Sequence, residues 1–208
     1  MIAVVDYGVG NLYSLTCSLR KLGAEAVVTR EEDELRRAKR VILPGVGAFG
    51  DAAGKLRALC LDALLRNMAK VGMPLLGICL GMQLLFDESY EYGRHEGLGL
   101  IHGEVRPLAP AVAPGSKIPH MGWNSLRFVQ SADALLAGVS AGAYVYYVHS
   151  FYATSCEPAL IAVSDYEGAE IPGVVRNGNV CGTQFHPEKS GDTGLVMLAN
   201  FIREGAIC

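Results

Sequence analysis

The segment from residue 74 to residue 86 constrains the fold of this chain more than any other part of the sequence. A short apolar run, Pro74-Leu75-Leu76, is followed by Gly-Ile-Cys-Leu-Gly-Met-Gln at 77–83 and by a second apolar run at 84–86. This order predicts a buried strand, a sharp turn and a helix that includes the second run. The turn, Gly-x-Cys-x-Gly, is the thiol counterpart of the Gly-x-Ser-x-Gly nucleophile elbow, and its glycines allow a tight backbone turn.

Cys79, between the two glycines, has two interpretations. In an elbow its sulfur lies at a helix N-terminus, where the partial positive charge favours a thiolate. The backbone N–H of Leu80 points the same way and is able to hold an oxyanion. The alternative is a small buried hydrophobe at a strand end, which is the usual role of a free cysteine. This segment alone leaves both interpretations open.

Strands that alternate with helices surround this segment. The predicted strands are 2–5, 26–28, 40–43, 159–163 and 180–184, and the predicted helices are 12–22, one helix from Phe49 through Met68, and 194–201. Alternation at this pitch indicates βαβ units and a parallel sheet. From Gly97 to Ser150, frequent glycine and proline predict short antiparallel strands attached to the main sheet. We therefore expect one α/β domain over residues 1–208: an open, mostly parallel sheet flanked by helices, with an added antiparallel β section.

Composition and charge exclude several classes of protein. The chain has 208 residues, a net charge of −3 and 50% hydrophobic residues, which predicts a compact globule. Its basic cluster at 36–40 adjoins acidic residues, so no nucleic acid partner is expected. Apolar runs fall short of the ~18 residues of a membrane span, so no membrane partner is expected. The lack of a signal peptide and the scattered cysteines predict a reduced, cytoplasmic protein. The histidine spacing predicts no metal site, and no other cofactor is expected.

The loop after the third predicted strand admits two explanations. Residues 45–50 place Gly-x-Gly-x-x-Gly between a strand and a helix, which is the dinucleotide-binding fingerprint. That fingerprint needs an acidic residue about 20 positions on, at the tip of the next strand, where this chain has Cys79 instead. We favour the second explanation, in which Gly45 and Gly47 free a backbone N–H to face Cys79. Two neighbouring strand tips, one with a nucleophile and one with N–H donors, predict an acyl-transfer site.

A histidine and a carboxylate follow the last predicted strand. His186 and Glu188 are two residues apart, and side chains at this spacing in an extended chain lie on one face. Pro187 keeps His186 extended. A carboxylate that accepts the imidazole N–H fixes the tautomer and supports the imidazolium. A lone histidine is more often structural, but this pair in a chain with a cysteine elbow predicts nucleophilic catalysis.

The segment Pro-His-Met-Gly-Trp-Asn, residues 119–124, contains the only tryptophan of the chain. We predict that it lies in a turn-rich region. Trp123 anchored in the core is the commoner explanation, whereas an exposed cluster of aromatic and methionine side chains marks a partner surface. Both explanations stay open.

The motifs at 77–83 and 184–190 together resemble the class I, triad-type glutamine amidotransferases, and the resemblance covers essentially the whole chain. Three further segments, 6–11, 44–49 and 119–124, resemble the glutaminase subunits of imidazole glycerol phosphate synthase, an enzyme of histidine biosynthesis. The resemblance implies a flavodoxin-like sheet and hydrolysis of L-glutamine. It also implies a heterodimer in which a (β/α)8-barrel cyclase receives the ammonia and makes imidazole glycerol phosphate and AICAR.

The resemblance also implies a role for each matching residue. Cys79 attacks the glutamine amide, His186 transfers protons and Glu188 orients His186. The oxyanion hole is expected from N–H groups of Leu80 and of the Val46–Gly47 segment. The residues expected to hold glutamine are Gln83, Glu91, Ser150 and Phe151. The residues expected to face the partner are Tyr7, Asn11, His120, Met121, Trp123 and Lys189.

Two alternative functions remain at this point. The chain could serve another synthase, such as the anthranilate, aminodeoxychorismate or pyridoxal phosphate system, although segments 119–124 and 44–47 disfavour this. It could instead be a non-catalytic binding module, although the complete Cys-His-Glu set disfavours that. We further hypothesise that glycines at 45 and 47 let one peptide flip, so that the oxyanion hole is assembled only once the partner has bound its substrate.

Overall fold

The computed structural model describes residues 1–203. Its helices are α1 (Leu12–Lys21), α2 (Glu32–Arg37), α3 (Phe49–Ala58), α4 (Leu61–Lys70), α5 (Leu80–Gln83) and α6 (Gly191–Arg203). Its strands are β1 (Ile2–Val5), β2 (Ala26–Thr29), β3 (Arg40–Gly45), β4 (Leu75–Cys79), β5 (Glu88–Ser89), β6 (His95–Glu96), β7 (Glu104–Pro107), β8 (His120–Ser125), β9 (Arg127–Phe128), β10 (Tyr144–His149), β11 (Phe151–Thr154), β12 (Leu160–Tyr166), β13 (Ala169–Asn177) and β14 (Val180–Thr183). The last residues of the predicted domain, 204–208, lie outside the described part of the chain.

The main sheet has eight strands in the order β2-β1-β3-β4-β14-β13-β12-β9. The first five strands are parallel to their neighbours, and the last three pair antiparallel. The predicted α/β class, with a mostly parallel sheet and an antiparallel section, is confirmed. The prediction that the strands of segment 97–150 attach to the main sheet is partly wrong, because only β9 among them joins this sheet. Strands β8 and β10 form a separate pair, and β7 belongs to a four-stranded sheet, β11-β7-β5-β6.

Strand β1 shows why the parallel part of the sheet is buried on both faces. Successive side chains of a strand point to opposite faces. Ala3 and Val5 belong to a core shared with buried residues of α3 and α4. Ile2 and Val4 belong to a second core shared with α1 and α6. Helices therefore cover both faces, and the loops at the carboxyl ends of the strands are left to form a site.

Two helix predictions are wrong in extent. The single helix expected from Phe49 through Met68 is two helices, α3 and α4, because Cys60 between them adopts a left-handed backbone conformation with φ of 56°. The apolar period continues across the break, so the sequence pattern does not reveal it. The helix expected after Cys79 is only the short α5, and residues 84–86 continue as hydrogen-bonded turns.

Strand β13 was not predicted, although it lies between β12 and β14 in the main sheet. It contains Pro172 and Gly173, both of which weaken a strand prediction. The structure accommodates Pro172 beside a register irregularity in the facing strand β12. Turn residues at each end of β13 could have revealed this strand in the sequence: Gly168 at one end and the Asn-Gly pair at 177–178 at the other. In the structure Gly168 and Gly178 have positive φ values of 91° and 57°.

Among residues 1–203, no helix combines the length and the apolar character needed to cross a membrane.

Candidate active site

The elbow places Cys79 at the end of β4 in a strained conformation. Its φ of 55° and ψ of −112° lie outside the regions that L-residues ordinarily occupy. Both glycines are required by close backbone contacts: a Cβ on Gly81 would lie 1.8 Å from the carbonyl oxygen of Leu43, and one on Gly77 would lie 2.6 Å from that of Gly81. The predicted strand and sharp turn are present, and they fix the position of the thiol.

His186 and Glu188 form a buried pair beyond the end of β14. Nδ1 of His186 lies 2.8 Å from Oε1 of Glu188, and each side chain is only 3% exposed. The extended geometry predicted for the pair is wrong at Glu188, because residues 187–189 form a 3-10 turn. The hydroxyl of Ser190 fixes this turn, since it donates to the carbonyl oxygen of His186 at 2.7 Å and accepts the backbone N–H of Tyr146.

The protonation of His186 is set by its neighbours. Burial by itself lowers its pKa, but the Cys79 sulfur and the Glu188 carboxylate outweigh burial and raise the pKa to about 10. Among residues 1–203, Nε2 of His186 has no hydrogen-bond partner. The imidazolium therefore presents its Nε2 N–H beside the Cys79 sulfur, which suits it to protonate a leaving amine.

A cavity of about 400 Å³ opens in front of Cys79 and His186. Its wall includes all the residues predicted for the oxyanion hole and for glutamine binding: Val46, Gly47, Leu80, Gln83, Glu91, Ser150 and Phe151. Strands β3 and β4 explain part of this, because Gly45 and Cys79 are register partners at their carboxyl ends. Glu188 lies behind His186 and does not line the cavity, as expected for an orienting residue.

Two polar side chains of the cavity wall are held in place. The amide nitrogen of Gln83 donates to the carbonyl oxygen of Phe151 at 2.9 Å and to Oε1 of Gln184 at 3.0 Å. Glu91 is buried, and its Oε2 accepts the backbone N–H of Phe49 at the start of α3. Because Glu91 lines the cavity, its carboxylate is placed to attract an ammonium group.

The two glycines of the loop after β3 have different roles. Gly47 has a φ of 95°, and a Cβ there would meet no atom within 4 Å, which agrees with a conformationally free peptide. Gly45 is required for close packing instead: a Cβ there would lie 2.7 Å from the backbone nitrogen of Gly81 and 2.8 Å from the hydroxyl of Tyr7. The hypothesis of a flipping peptide therefore rests on Gly47, and a packing role is enough to explain the glycine at 45.

Four of the six residues expected to face a partner are accessible. Met121 and Trp123 are 60% and 55% exposed and alternate with inward-facing residues of β8. Trp123 is therefore not a core residue, and its segment is a strand rather than a turn-rich region. Lys189 is exposed, and Asn11 is half-buried at the N-cap of α1.

The other two, Tyr7 and His120, are buried, so the expectation that their side chains face a partner is wrong. The Tyr7 hydroxyl donates to the carbonyl oxygen of Pro44 at 2.8 Å. Burial, with a smaller contribution from Cys79, raises the pKa of Tyr7. His120 is 3% exposed and contacts His149.

Four residues at or beside the site were not predicted from the sequence. Pro119, Val148 and His149 line the cavity, and the amide nitrogen of Gln184 lies 3.8 Å from the sulfur of Cys79. His149 and Gln184 sit at or just beyond the ends of β10 and β14. The rule that sites form at strand ends could have singled out Gln184, because β14 belongs to the parallel part of the sheet.

A thiol on a strained elbow, with a buried imidazole–carboxylate pair beside it in one cavity at the carboxyl edge of a parallel sheet, defines a cysteine-dependent acyl-transfer enzyme. Comparison with known proteins narrows this class. The family model described as glutamine amidotransferase class-I matches residues 3–204. The chain thus belongs to the class I glutamine amidotransferase family and, within it, groups with the proteins named imidazole glycerol phosphate synthase subunit HisH.

Three such relatives illustrate the grouping. The subunit HisH of Bacillus cereus (strain G9842) is 49% identical over 97% of this chain and 93% of its own length. That of Geobacillus thermodenitrificans is 48% identical over 97% and 95%, and that of Rhodospirillum rubrum is 46% identical over 97% and 98%.

Solved structures show the same fold at lower identity. The structure of PurLQS from Thermotoga maritima matches with a TM-score of 0.76 and 22% identity over 97% of this chain and 96% of that one. A structure described as glutamine amidotransferase matches with a TM-score of 0.73 and 21% identity over 96% and 99%.

Proposed function

We propose that this chain is the glutamine-hydrolysing subunit of imidazole glycerol phosphate synthase, acting as one amidotransferase domain over residues 1–208 in the cytoplasm. It releases ammonia from glutamine and supplies it to a cyclase subunit in histidine biosynthesis. The observation that carries the proposal is the arrangement of Cys79, His186 and Glu188 around the cavity, in a chain 49% identical to a named subunit HisH.

The reaction follows from this arrangement. The Cys79 thiolate attacks the side-chain carbonyl carbon of glutamine, and a C–S bond forms as the carbonyl oxygen becomes an oxyanion. His186 gives its Nε2 proton to the amide nitrogen, the C–N bond breaks, and ammonia leaves a glutamyl thioester. Neutral His186 then takes a proton from water as the water oxygen attacks the thioester. The C–S bond breaks, which yields glutamate and restores the thiolate and the imidazolium.

The cavity wall supplies complementary groups for glutamine. The buried carboxylate of Glu91 suits the α-ammonium group of the substrate, and Gln83, Ser150 and Phe151 complete the pocket at its amino-acid end. N–H groups of Leu80 and of the Val46–Gly47 peptide would hold the oxyanion. The positive φ of Gly47 supports the hypothesis that this peptide changes orientation when the partner binds its substrate.

The exposed residues Met121 and Trp123, with Lys189 and Asn11, are the proposed contact surface for the partner. We propose a (β/α)8-barrel cyclase that combines the ammonia with phosphoribulosyl formimino carboxamide ribonucleotide to make imidazole glycerol phosphate and AICAR. Internal transfer is advantageous because free ammonia is mostly protonated at neutral pH and is lost to solvent. Large exposed aromatic and methionine side chains are typical of the centre of such an interface.

The test is synthesis by the complex of this chain with the cyclase subunit. We expect Cys79→Ala to abolish synthesis from glutamine and to leave synthesis from ammonium salts, because the chemistry on the nucleotide belongs to the partner. Cys60→Ala is the matched control, since Cys60 is exposed at the α3–α4 junction, and it should retain both activities. Loss of both activities in Cys79→Ala would contradict the assigned role.

Glutamine hydrolysis by the wild-type chain tests the choice of partner. We expect little hydrolysis by the chain alone and strong stimulation when the cyclase and its nucleotide are both present. High activity that is indifferent to the cyclase would assign the chain to another synthase, such as the anthranilate, aminodeoxychorismate or pyridoxal phosphate system.

A further inference from the structure

Two buried histidines face each other across the pair of strands β8 and β10. His120 and His149 are register partners, and Nδ1 of His120 lies 2.9 Å from Nε2 of His149. Nδ1 of His149 lies 3.0 Å from the carbonyl oxygen of Phe151. On the other side, the amide nitrogen of Asn124 lies 3.4 Å from Nε2 of His120. All four ring nitrogens are therefore engaged.

The direction of every hydrogen bond in this series follows from the Phe151 carbonyl at its end. The Phe151 carbonyl can only accept, so His149 carries its proton on Nδ1. When His149 is neutral, its Nε2 must accept, and His120 then carries a proton on Nδ1 and accepts from Asn124 through Nε2. Burial lowers the pKa of His120 to about 4, and burial together with His120 lowers that of His149 to about 3, so both rings are neutral at physiological pH.

The same series of hydrogen bonds continues to the sulfur of Cys79. The carbonyl oxygen of Phe151 also accepts from the amide nitrogen of Gln83 at 2.9 Å. Gln83 donates its second N–H to Oε1 of Gln184 at 3.0 Å, and the amide nitrogen of Gln184 lies 3.8 Å from the sulfur of Cys79. An unbroken series of polar contacts thus runs from strand β8 through the cavity wall to the reacting sulfur.

Aromatic packing holds the start of the series in one geometry. The ring of His120 stacks between those of Tyr147 and Tyr166, at centroid distances of 4.6 and 4.0 Å. A stacked ring with both nitrogens bonded has little freedom to reorient. A displacement of β8, which carries Met121 and Trp123 on its exposed side, would therefore also displace His149.

We propose that His149, supported by His120, is a positioning residue for glutamine hydrolysis: the pair fixes the Phe151 carbonyl and, through it, Gln83 and Gln184 beside the nucleophile. This inference rests on the proposed function. His149 is not a catalytic base, because both of its ring nitrogens are already engaged. It lines the cavity, yet its effect on the substrate is exerted through the groups that it holds.

Three substitutions at position 149 separate the two hydrogen bonds. The amide nitrogen of Asn can take the place of Nδ1, so His149→Asn keeps the donor to Phe151 and loses the acceptor for His120. The amide oxygen of Gln can take the place of Nε2, so His149→Gln keeps only the bond to His120. His149→Phe loses both bonds. His102→Gln is the control, because His102 is exposed and pairs with Asp87.

Kinetics are measured on the complex with the cyclase subunit and its nucleotide. We expect His149→Gln and His149→Phe to lower kcat/KM for glutamine roughly ten-fold, mainly through KM, as the loss of about one hydrogen bond predicts. His149→Asn should lose clearly less, and His102→Gln should match the wild type. If the role of His149 were purely structural, the melting temperature and kcat/KM would fall together. The Asn and Gln variants would then have the same kcat/KM.

A labelling experiment on the same full-length variants does not depend on turnover. A chloroketone analogue of glutamine should label Cys79 more slowly in the Gln and Phe variants than in the Asn variant. Iodoacetamide labelling of the exposed Cys60 serves as the internal reference for folding and should be equal in all variants.

The positioning role would be overturned if all three variants had the same kcat/KM for glutamine and the same rate of Cys79 labelling. This holds whether these values are lower than those of the wild type or equal to them. A wild-type complex that does not hydrolyse glutamine, while labelling of Cys79 still separates the variants, would instead overturn the proposed function and leave the positioning role standing.

Discussion

Substitution of Gly81 is the sharpest test of how the elbow positions the nucleophile. In Gly81→Ala the new Cβ would lie 1.8 Å from the carbonyl oxygen of Leu43, whereas ordinary contact begins at 3.4 Å. Neither group is the end of a flexible side chain, so the backbone around Cys79 has to move by more than an ångström. Overpacking of this kind costs about 1–3 kcal/mol, and a displacement of about 1 Å at a reacting group costs roughly 100-fold in rate.

The expected result is therefore a combined loss of activity and stability. We expect kcat for glutamine hydrolysis by the complex to fall roughly 100-fold. For a chain of this size the melting temperature should fall by roughly 2 to 12 °C. The assays are steady-state glutaminase kinetics of the folded variant and thermal unfolding followed by circular dichroism.

Gly54→Ala is the matched control for this prediction. Gly54 lies in α3, is exposed, and a Cβ there would meet no atom within 4 Å. Because Ala is a better helix former than Gly, this variant should gain about 0.5–1 kcal/mol in stability with unchanged kinetics. The reasoning about the elbow would be refuted by a Gly81→Ala enzyme that is as active and as stable as the wild type.

Two further predictions concern groups around the nucleophile. Tyr7→Phe removes the hydroxyl that donates to the carbonyl oxygen of Pro44. We expect this variant to lose about 0.5–1.5 kcal/mol in unfolding free energy and to have a lower kcat for glutamine hydrolysis. An unchanged kcat would show that this hydrogen bond does not hold the oxyanion loop. The pKa of His186 is raised from 6.5 to about 10, so the stability that its proton contributes is complete below about pH 6.5 and is lost as the pH rises through about 10. Glu188→Gln removes one source of this shift, so denaturant unfolding between these pH values should show a smaller decline than in the wild type, and an equal decline would contradict the pairing.

Several features followed from the sequence because they depend on neighbouring residues. The Gly-x-Cys-x-Gly turn was predictable since only glycine tolerates the close backbone contacts at Gly77 and Gly81. The pairing of His186 with Glu188 was predictable from their spacing, although the 3-10 turn that achieves it was not. The parallel sheet followed from buried apolar runs separated by helices.

Other features depend on residues far apart in the chain, and only the tertiary structure decided them. The contact between His120 and His149 requires β8 and β10 to pair in one register, and no local pattern specifies that register. The same pairing turns Met121 and Trp123 outward and His120 inward.

The sequence by itself therefore determined the class of fold and the three residues proposed as the triad, because steric limits on single turns and the burial of apolar runs act locally. Tertiary structure alone decided that Tyr7 donates a hydrogen bond to the carbonyl oxygen of Pro44, that Glu91 is buried and that Gln184 approaches the sulfur of Cys79. The physical reason is that burial and hydrogen-bond partners of polar side chains are fixed by packing between distant segments, which a short stretch of sequence does not specify.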